Sequence, residues 1–399
     1  MLTSLGSISI EEFLAEYWQK KPLLIKNLFP EFECPLDHND LAGLSLEDEV
    51  ESRIVFENLD GKPWQLMHGP FEADFLETLP EENWTLLVQG LDHWIPEIAD
   101  LLDRFRFLPN WRVDDIMASF APVGGSVGPH YDQYDVFLIQ AEGRRKWQIG
   151  PVCTAQTERL EGTPLRIIKD MQVTDEWVLE PGDALYLPPA VAHYGVALEH
   201  CITLSVGFRS PTQAELISSF TDYCCEQASV NRHLTDATIR PLPNPGLIQE
   251  DVINDFKGFL RELIDNEPMM KTWFGEYVTS PKHEGIVEAV DDEERISEDE
   301  LQELFLVPEV QFRWNEGSRF SFIPQDHQII LAVDGHSYCL HSDARTWVEL
   351  LCSSNQIDKS RLGELTSNDE LIRLLARLFN QGSLRISTDD ELDDWGDDA

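Results

Sequence analysis

The chain has 399 residues, 42% hydrophobic and 10% aromatic, enough for two or three packed cores and too many for wholesale disorder. Its 30 basic against 73 acidic residues leave a formal charge of −43, which excludes a general nucleic-acid binder, because phosphate contacts need a basic surface. That field either attracts a basic partner or serves solubility alone. Seven cysteines, none in a CxxC pair, read as packing residues of a reduced, cytoplasmic chain, and no apolar run has the length of a membrane span.

Residues 8 to about 105 read as mostly helical with short extended pieces. Ser9 before Glu11-Glu12-Phe13-Leu14 marks a helix start, and Pro22–Ile25 is a short strand. From Trp111 to Phe208 the texture changes to short β runs punctuated by Gly and Pro: Val113–Phe120, Val136–Gln140, Arg145–Ile149, Ala184–Leu187 and Ile202–Gly207. Strands so closely spaced predict a sandwich or barrel. After Ser210-Pro211-Thr212 come two amphipathic helices, 213–230 and 249–266, separated by a Pro-rich link at 241–246. A helical unit attached to a β core commonly packs on its own copy, so a homodimer is expected. Residues 281–300 form an acidic connector. Beyond it a hairpin (Ile329–Val333 and Ser337–Leu340, turning at Asp334-Gly335) mixes with helices near 343–353 and 368–380, as in a winged-helix module. The stretch Asp389–Asp398 carries seven carboxylates and reads as a solvated tail.

A His-x-Asp pair on a strand puts both side chains on one face, and a distant histidine can complete a facial triad with positions left open for a cosubstrate and oxygen. The tripeptide occurs three times here. In His38-Asn39-Asp40, Asp40 or Asn39 reads as a helix cap, and His341-Ser342-Asp343 also occupies a capping position between hairpin and helix. His130-Tyr131-Asp132 differs. It follows the turn-rich Gly124–Pro129 and precedes the apolar run Tyr134–Ile139. Downstream come a Pro181-Gly182 turn, an apolar strand and then His193, 63 residues after His130. A lone histidine reads as a hydrogen-bonded core residue. This combination instead reads His130, Asp132 and His193 as ligands of iron(II) inside a small double-stranded β-helix.

A 2-oxoglutarate molecule held on such a metal by its keto-acid end needs a fixed cation and hydroxyl donors for its far carboxylate. Arg145 fits an inward strand position after a hairpin around Ala141–Gly143, with Arg144 and Lys146 turned to solvent; an ordinary surface arginine is the other reading. On Val113–Phe120, period two puts Asp115, Met117 and Ser119 on one face, where Ser119 can donate to that carboxylate. An inward Asp115 needs a cation, supplied either by a guanidinium or ammonium substrate or by a protein Arg or Lys.

The strings Val127-Gly128-Pro129-His130-Tyr131-Asp132-Gln133-Tyr134-Asp135-Val136-Phe137, Gly143-Arg144-Arg145-Lys146-Trp147, Leu179-Glu180-Pro181-Gly182-Asp183 and Leu204-Ser205-Val206-Gly207-Phe208-Arg209 resemble the JmjC-type ribosomal oxygenases. The likeness runs over nearly the whole chain. It is greatest to the bacterial arginine hydroxylases of a large-subunit (50S) ribosomal protein, the sixteenth of the L series. The resemblance implies an α+β chain: a JmjC (cupin) core with a helical N-terminal part over 1–210, a helical dimerisation segment over 211–280, a winged-helix-like domain over 281–388 and an acidic tail over 389–399. It implies His130, Asp132 and His193 as iron ligands, Arg145 and Ser119 as partners of 2-oxoglutarate, and Asp115, Met117, Tyr134 and Ser205 as the lining of a substrate-arginine pocket. It further implies Fe(II) with 2-oxoglutarate and O2 as cosubstrates and a basic ribosomal protein as substrate; the acidic charge and the lack of a spanning apolar run make neither nucleic acid nor membrane the expected partner. Many such oxygenases have Lys where Arg145 stands, and this chain departs from the pattern in its acidic connector near 285–300 and its acidic tail. Hydroxylation of another residue such as histidine, or a non-catalytic cupin that binds a basic protein, are the alternative readings.

Overall fold

The computed structural model describes residues 1–226, 233, 235, 241–282, 285–308, 310–366 and 369–388. The end of the expected 213–230 helix and the 389–399 tail lie outside the described residues. The chain divides into two compact units, Met1–Ser210 and Pro211–Ala399.

The first unit opens with a ribbon, β1 (Ser4–Leu5) and β2 (Ile8–Ser9), leading into α1 (Ile10–Glu16). The Ser9 hydroxyl caps α1 by accepting from the Glu12 N–H at 3.1 Å, which satisfies one of the four orphan donors of a helix start. Next come β3 (Leu23–Ile25) and α2 (His38–Leu44). The cap of α2 is Asp37 rather than Asn39 or Asp40: its carboxylate accepts from the N–H groups of both, while Asp40 reaches back to the Asp37 N–H at 2.6 Å.

The expectation of a mostly helical stretch before residue 105 is corrected by three strands: β4 (Ser52–Leu59), β5 (Lys62–His68) and β6 (Trp84–Val88). Their apolar runs Ile54-Val55-Phe56 and Leu86-Leu87-Val88 are buried on both faces, which erases the alternation that marks a half-buried strand. Asp60-Gly61, with φ of 53° and 76°, is the two-residue turn that closes β4 on β5. Short helices α3 (Ala73–Leu76) and α4 (Pro96–Leu102) complete this part.

The barrel strands are β7 (Val113–Ala121), β8 (Asp135–Glu142), β9 (Arg145–Val152), β10 (Asp175–Leu179), β11 (Ala184–Leu187), β12 (Val191–Ala197) and β13 (Cys201–Phe208). Two antiparallel sheets result, one of eight strands in the order β3-β11-β8-β13-β7-β6-β4-β5 and one of three in the order β10-β9-β12. Consequently β8 and β9 do not form the expected hairpin. The turn at Gly143 passes the chain from the large sheet to the small one. Gly143 has φ +61° there, and a Cβ would lie 2.0 Å from the His200 carbonyl oxygen, so only glycine fits.

Alternation then sorts the barrel side chains. Ile116, Ala118, Phe120, Phe137, Ile139, Tyr186, Ile202, Leu204 and Val206 pack outward with Phe13 of α1 and Ile98 of α4. Val136, Leu138, Leu185 and Leu187 face inward onto Trp147, Ile149, Leu179 and Val191. Ala121 of β7 and Cys201 of β13 close one end with Ala197, and the inward positions between are polar or semipolar: Asp115, Met117, Ser119, Thr203 and Ser205. Filling one part of the interior with hydrocarbon and the rest with polar groups confines chemistry to the second part.

In the second unit, α5 (Gln213–Glu226) meets α7 (Glu267–Thr279) through Phe220 and Trp273, whose ring centroids are 5.0 Å apart. Between them α6 (Glu250–Ile264) has no buried residue and exposes Ile253, Phe256, Leu260 and Ile264. Helix α8 (Glu298–Leu304) follows, then β14 (Val310–Trp314) and the meander β15 (Phe320–Gln325), β16 (Gln328–Val333) and β17 (His336–His341). Asp334-Gly335, with φ of 47° and 78°, makes the turn its sequence predicts. Helices α9 (Arg345–Leu351), α10 (Lys359–Leu365) and α11 (Asp369–Asn380), with β18 (Gln356–Ile357) and β19 (Leu384–Thr388), close a core around Phe312, Trp314, Trp347 and Phe379. Among the described residues no helix is long and apolar enough to cross a membrane.

Candidate metal centre and its pocket

His130 and His193 face each other across a single antiparallel bridge. The His130 N–H donates to the His193 carbonyl at 3.0 Å, and the His193 N–H donates back at 2.9 Å. His193 belongs to β12, whereas His130-Tyr131-Asp132 lies outside any named strand, so the expected His-x-Asp strand is replaced by a bridge followed by a bend. The Ala190 N–H holds that bend by donating to the Asp132 carbonyl at 2.6 Å. A second loop braces it from outside: the Ile168 N–H donates to the Pro129 carbonyl at 2.7 Å, and Arg159 donates to the Tyr131 hydroxyl at 2.7 Å. Gly128, at φ +80°, allows this approach, since a Cβ there would come within 2.4 Å of Ile167.

Each imidazole is oriented by a backbone carbonyl. His130 Nδ1 lies 2.8 Å from the Gly128 oxygen and His193 Nδ1 2.9 Å from the Val191 oxygen. A carbonyl only accepts, so Nδ1 carries the proton and Nε2 presents its lone pair. The Nε2 atoms stand 3.9 Å (His130) and 3.6 Å (His193) from Asp132 Oδ2, and all three ligand atoms lie within 4.8 Å of one another. Burial, reinforced by the neighbouring His130, lowers the His193 pKa to about 4, so its ring is neutral at pH 7 and ready to ligate. Among the described residues no other set of three His, Cys, Asp or Glu side chains converges in this way. Two imidazoles and one carboxylate suit a divalent iron ion that keeps further positions open. The other two His-x-Asp tripeptides do not build such a site. His38 and Asp40 serve the first turn of α2, and His341 Nδ1 pairs with Asp343 at 3.0 Å on the surface.

Arg145 is 5% exposed and faces inward, donating Nη1 to the Ser119 hydroxyl at 3.0 Å. Its Nε and Nη2 are buried without a hydrogen-bond partner. Leaving charged donors unmet in an interior is costly, and an anion with several acceptor oxygens relieves that cost. The register orders the small sheet as Arg145 opposite Ala197, Trp147 opposite Gly195 and Ile149 opposite His193, so Trp147 stands between the cation and the metal ligands. Sequence reasoning did not single out Trp147; its place one period after Arg145 on the same face was the available signal. Gln140, also inward, is saturated by the Glu142 and Ile202 carbonyls and the Thr203 hydroxyl, so its amide has no N–H to spare for an anion.

The four residues expected to line a substrate pocket come together from the large sheet and its adjoining loop. Asp115 is 4% exposed and accepts from the Gln89 side-chain amide at 2.8 Å. Met117 lies directly across from Ser205 in the register, which puts both on one face, and Arg53 approaches the Met117 sulfur at 3.5 Å. Tyr134 is 43% exposed. Its hydroxyl pKa is raised by partial burial first and then by the Asp132 and Asp115 carboxylates, which places the ring near both charges. Gln89 was missed because it follows β6, in the region read as helical.

A JmjC domain model matches residues 100–216, and a ROXA-like winged-helix model matches 262–385. The chain is 37% identical over 371 residues to the ribosomal protein uL16 3-hydroxylase of Escherichia coli, covering 93% of this chain and 96% of that protein. It is also 37% identical over 303 residues to a probable ribosomal oxygenase of Haemophilus influenzae, with 74% of each chain covered. The X-ray structure of E. coli YcfD superposes with a TM-score of 0.85 at 34% identity, over 97% of this chain and 100% of that one. The complex of the same ribosomal oxygenase with cobalt and 2-oxoglutarate gives 0.82 at 34% identity, over 96% and 99%. With a likeness this extensive, reaching through both the barrel and the winged helix, the chain belongs to the JmjC-domain ribosomal oxygenases.

Proposed function

We propose that this chain is an iron(II)- and 2-oxoglutarate-dependent protein hydroxylase that acts on an arginine side chain of ribosomal protein uL16. The observation that carries the reading is an open three-ligand centre in one pocket with a buried guanidinium lacking partners at two of its nitrogens. That donor set fits a metal-chelated dicarboxylate. The YcfD complexes with cobalt and 2-oxoglutarate or succinate, and the uL16 3-hydroxylase relative, support the cosubstrate and the substrate.

Iron(II), when bound, supplies with 2-oxoglutarate and O2 the oxidising power to hydroxylate an unactivated C–H bond, with succinate and carbon dioxide as coproducts. His130, Asp132 and His193 would hold the ion, the two imidazoles through Nε2. Arg145 and Ser119 hold the far carboxylate of the cosubstrate. Asp115 takes the substrate guanidinium, while Met117, Tyr134 and Ser205 flank its aliphatic stem and hold it in place. No acid–base pair is required of the protein, whose contribution is position and exclusion of water.

The charge of −43 suits capture of a basic ribosomal protein and argues against direct nucleic-acid contact. We assign 211–280 to dimerisation, because α6 carries Ile253, Phe256, Leu260 and Ile264 exposed along one amphipathic helix, and 281–388 to the winged-helix-like domain. We assign the enzyme to the cytoplasm, a reading supported by action on a ribosomal protein. The test is to incubate the protein with Fe(II), 2-oxoglutarate, O2 and uL16. A gain of one oxygen mass (about 16 Da) on an arginine, with stoichiometric succinate, is expected. No oxygen-sized mass change, or one confined to histidine, overturns the assignment.

A further inference from the structure

We propose that Arg159 is a positioning residue for the metal centre: by gripping the Tyr131 side chain it holds the neighbouring Asp132 carboxylate in place to ligate, and so sets how tightly the ion is held. This rests on the reading of His130, Asp132 and His193 as metal ligands.

The three ligands are not fixed alike. A backbone carbonyl orients each imidazole at Nδ1. Among the described residues no N–H or O–H donates to the Asp132 carboxylate, which faces the Nε2 atoms of His130 and His193 at 3.9 and 3.6 Å. Its aim therefore depends on how firmly the main chain around it is held. On the inner side the Ala190 N–H secures the Asp132 carbonyl at 2.6 Å. On the outer side the grip falls on Tyr131.

That grip comes from residues 158–169, between β9 and β10, which form a small antiparallel ribbon. The Leu160 N–H donates to the Ile167 carbonyl at 2.8 Å and the Lys169 N–H to the Glu158 carbonyl at 3.1 Å, with Arg159 and Ile168 bridged opposite each other. Ile167 roots the ribbon, buried in a cluster with Val55, Trp64 and Leu87. The bridged pair then reaches the metal-binding bend on both sides of His130. The Ile168 N–H donates to the carbonyl of Pro129, the residue before it, at 2.7 Å. Arg159 Nη2 donates to the hydroxyl of Tyr131, the residue after it, at 2.7 Å. The same guanidinium lies over the Tyr131 ring, 5.3 Å from its centroid. A donor and a ring contact from one planar group fix both the reach and the tilt of the ring. Arg159 has no competing duty: in a chain with 73 acidic residues, no carboxylate among the described residues pairs with it.

For the test, Co(II), an air-stable stand-in for iron, is titrated calorimetrically into the metal-free protein, and its release to excess chelator is timed. R159A should bind Co(II) about fivefold more weakly and release it faster; a buried outer partner would give more, but water shares this exposed contact. Y131F keeps the ring and loses only the hydroxyl, so its loss should be smaller. R159K, which keeps a charge and a donor, should recover most of the affinity. Because Arg159 acts through Tyr131, the double variant Y131F/R159A should bind no worse than R159A alone. The metal-free melting temperature of each variant should match wild type, as at other exposed positions. A merely structural contact would move that temperature and leave Co(II) affinity alone. Wild-type Co(II) affinity and release in R159A, or losses that add in full in the double variant, overturn the role of Arg159. Failure of the wild type to bind Co(II) instead overturns the metal centre itself.

Discussion

Arg112 and Arg145 both carry a guanidinium into the first unit, on opposite sides of the large sheet, and they are matched there in opposite ways. Arg112 donates to Asp135 at 2.8 Å, and that fully buried carboxylate also takes the Tyr186 hydroxyl at 2.6 Å and the Gln19 amide at 2.9 Å. The Arg112 guanidinium lies over Trp18 and Trp111 besides, so although its Nε is unmatched, its charge is answered within the chain. Arg145 also lies over a ring, that of Trp147, but its one hydrogen-bond partner is a serine hydroxyl, and among the described residues no carboxylate pairs with it. A buried cation with its counter-charge in the chain belongs to the fold, whereas one left with a hydroxyl belongs to a ligand of opposite charge.

Substitution separates the two roles. R145A should raise the KM for 2-oxoglutarate at least a hundredfold while leaving the melting temperature of the ligand-free protein unchanged or slightly higher, since an unmatched buried charge is removed. R112A should do the reverse. It strands Asp135 in the outer-face core and costs about 3–5 kcal/mol of stability, with the folded fraction keeping its KM. Thermal melts and steady-state kinetics on both variants check this, and a shared phenotype would break the comparison. R145K sharpens it: the charge survives but the planar fork is lost, so an increase of about tenfold in KM is expected.

The outer network also has a pH signature that the inner arginine lacks. Burial, then the Asp135 charge, raises the Tyr186 pKa well above the ordinary tyrosine value. A folded-state pKa above the unfolded one means that this stability is fully present below about pH 10 and is lost as pH rises beyond it. Y186F should therefore flatten the alkaline limb of the stability curve, while costing about 1 kcal/mol at neutral pH through its lost hydrogen bond. Urea denaturation from pH 8 to 11 reads both effects.

Arg145 was legible in the sequence and its environment was not. Period two on Arg145–Ile149 and on Val113–Phe120 suffices to turn Arg145, Ser119 and Asp115 inward, because alternation is a local property. That Arg145 reaches Ser119 depends on β9 leaving the sheet that contains β8, a register decision made by Gly143 against His200, far along the chain. Local pattern cannot report such pairings. The same limit hid β4 to β6: strands covered on both faces lose their alternation, and Gln89 was lost with them. The short apolar runs of the barrel survived because Gly or Pro bounds each one on at least one side.

The tripeptides give the smallest expected effect and the clearest statement of that limit. His130-Tyr131-Asp132 and His341-Ser342-Asp343 share a spacing and differ in what holds Nδ1 and so in whether the ring is turned toward further ligands. At His130 the Gly128 carbonyl occupies Nδ1 and turns Nε2 toward Asp132 and His193. At His341 Nδ1 itself faces the Asp343 carboxylate at 3.0 Å and lies 3.4 Å from the Asp343 N–H, at the start of a helical turn, with both side chains largely exposed. A surface contact of that kind contributes little, because solvent competes for each group. H341A should therefore leave metal stoichiometry, turnover and melting temperature at wild-type values, whereas H130A should lose the metal outright. Metal analysis of the two purified variants decides it. A reduced metal content in H341A would mean that spacing alone makes a ligand, and equal retention in H130A would remove the triad from the account.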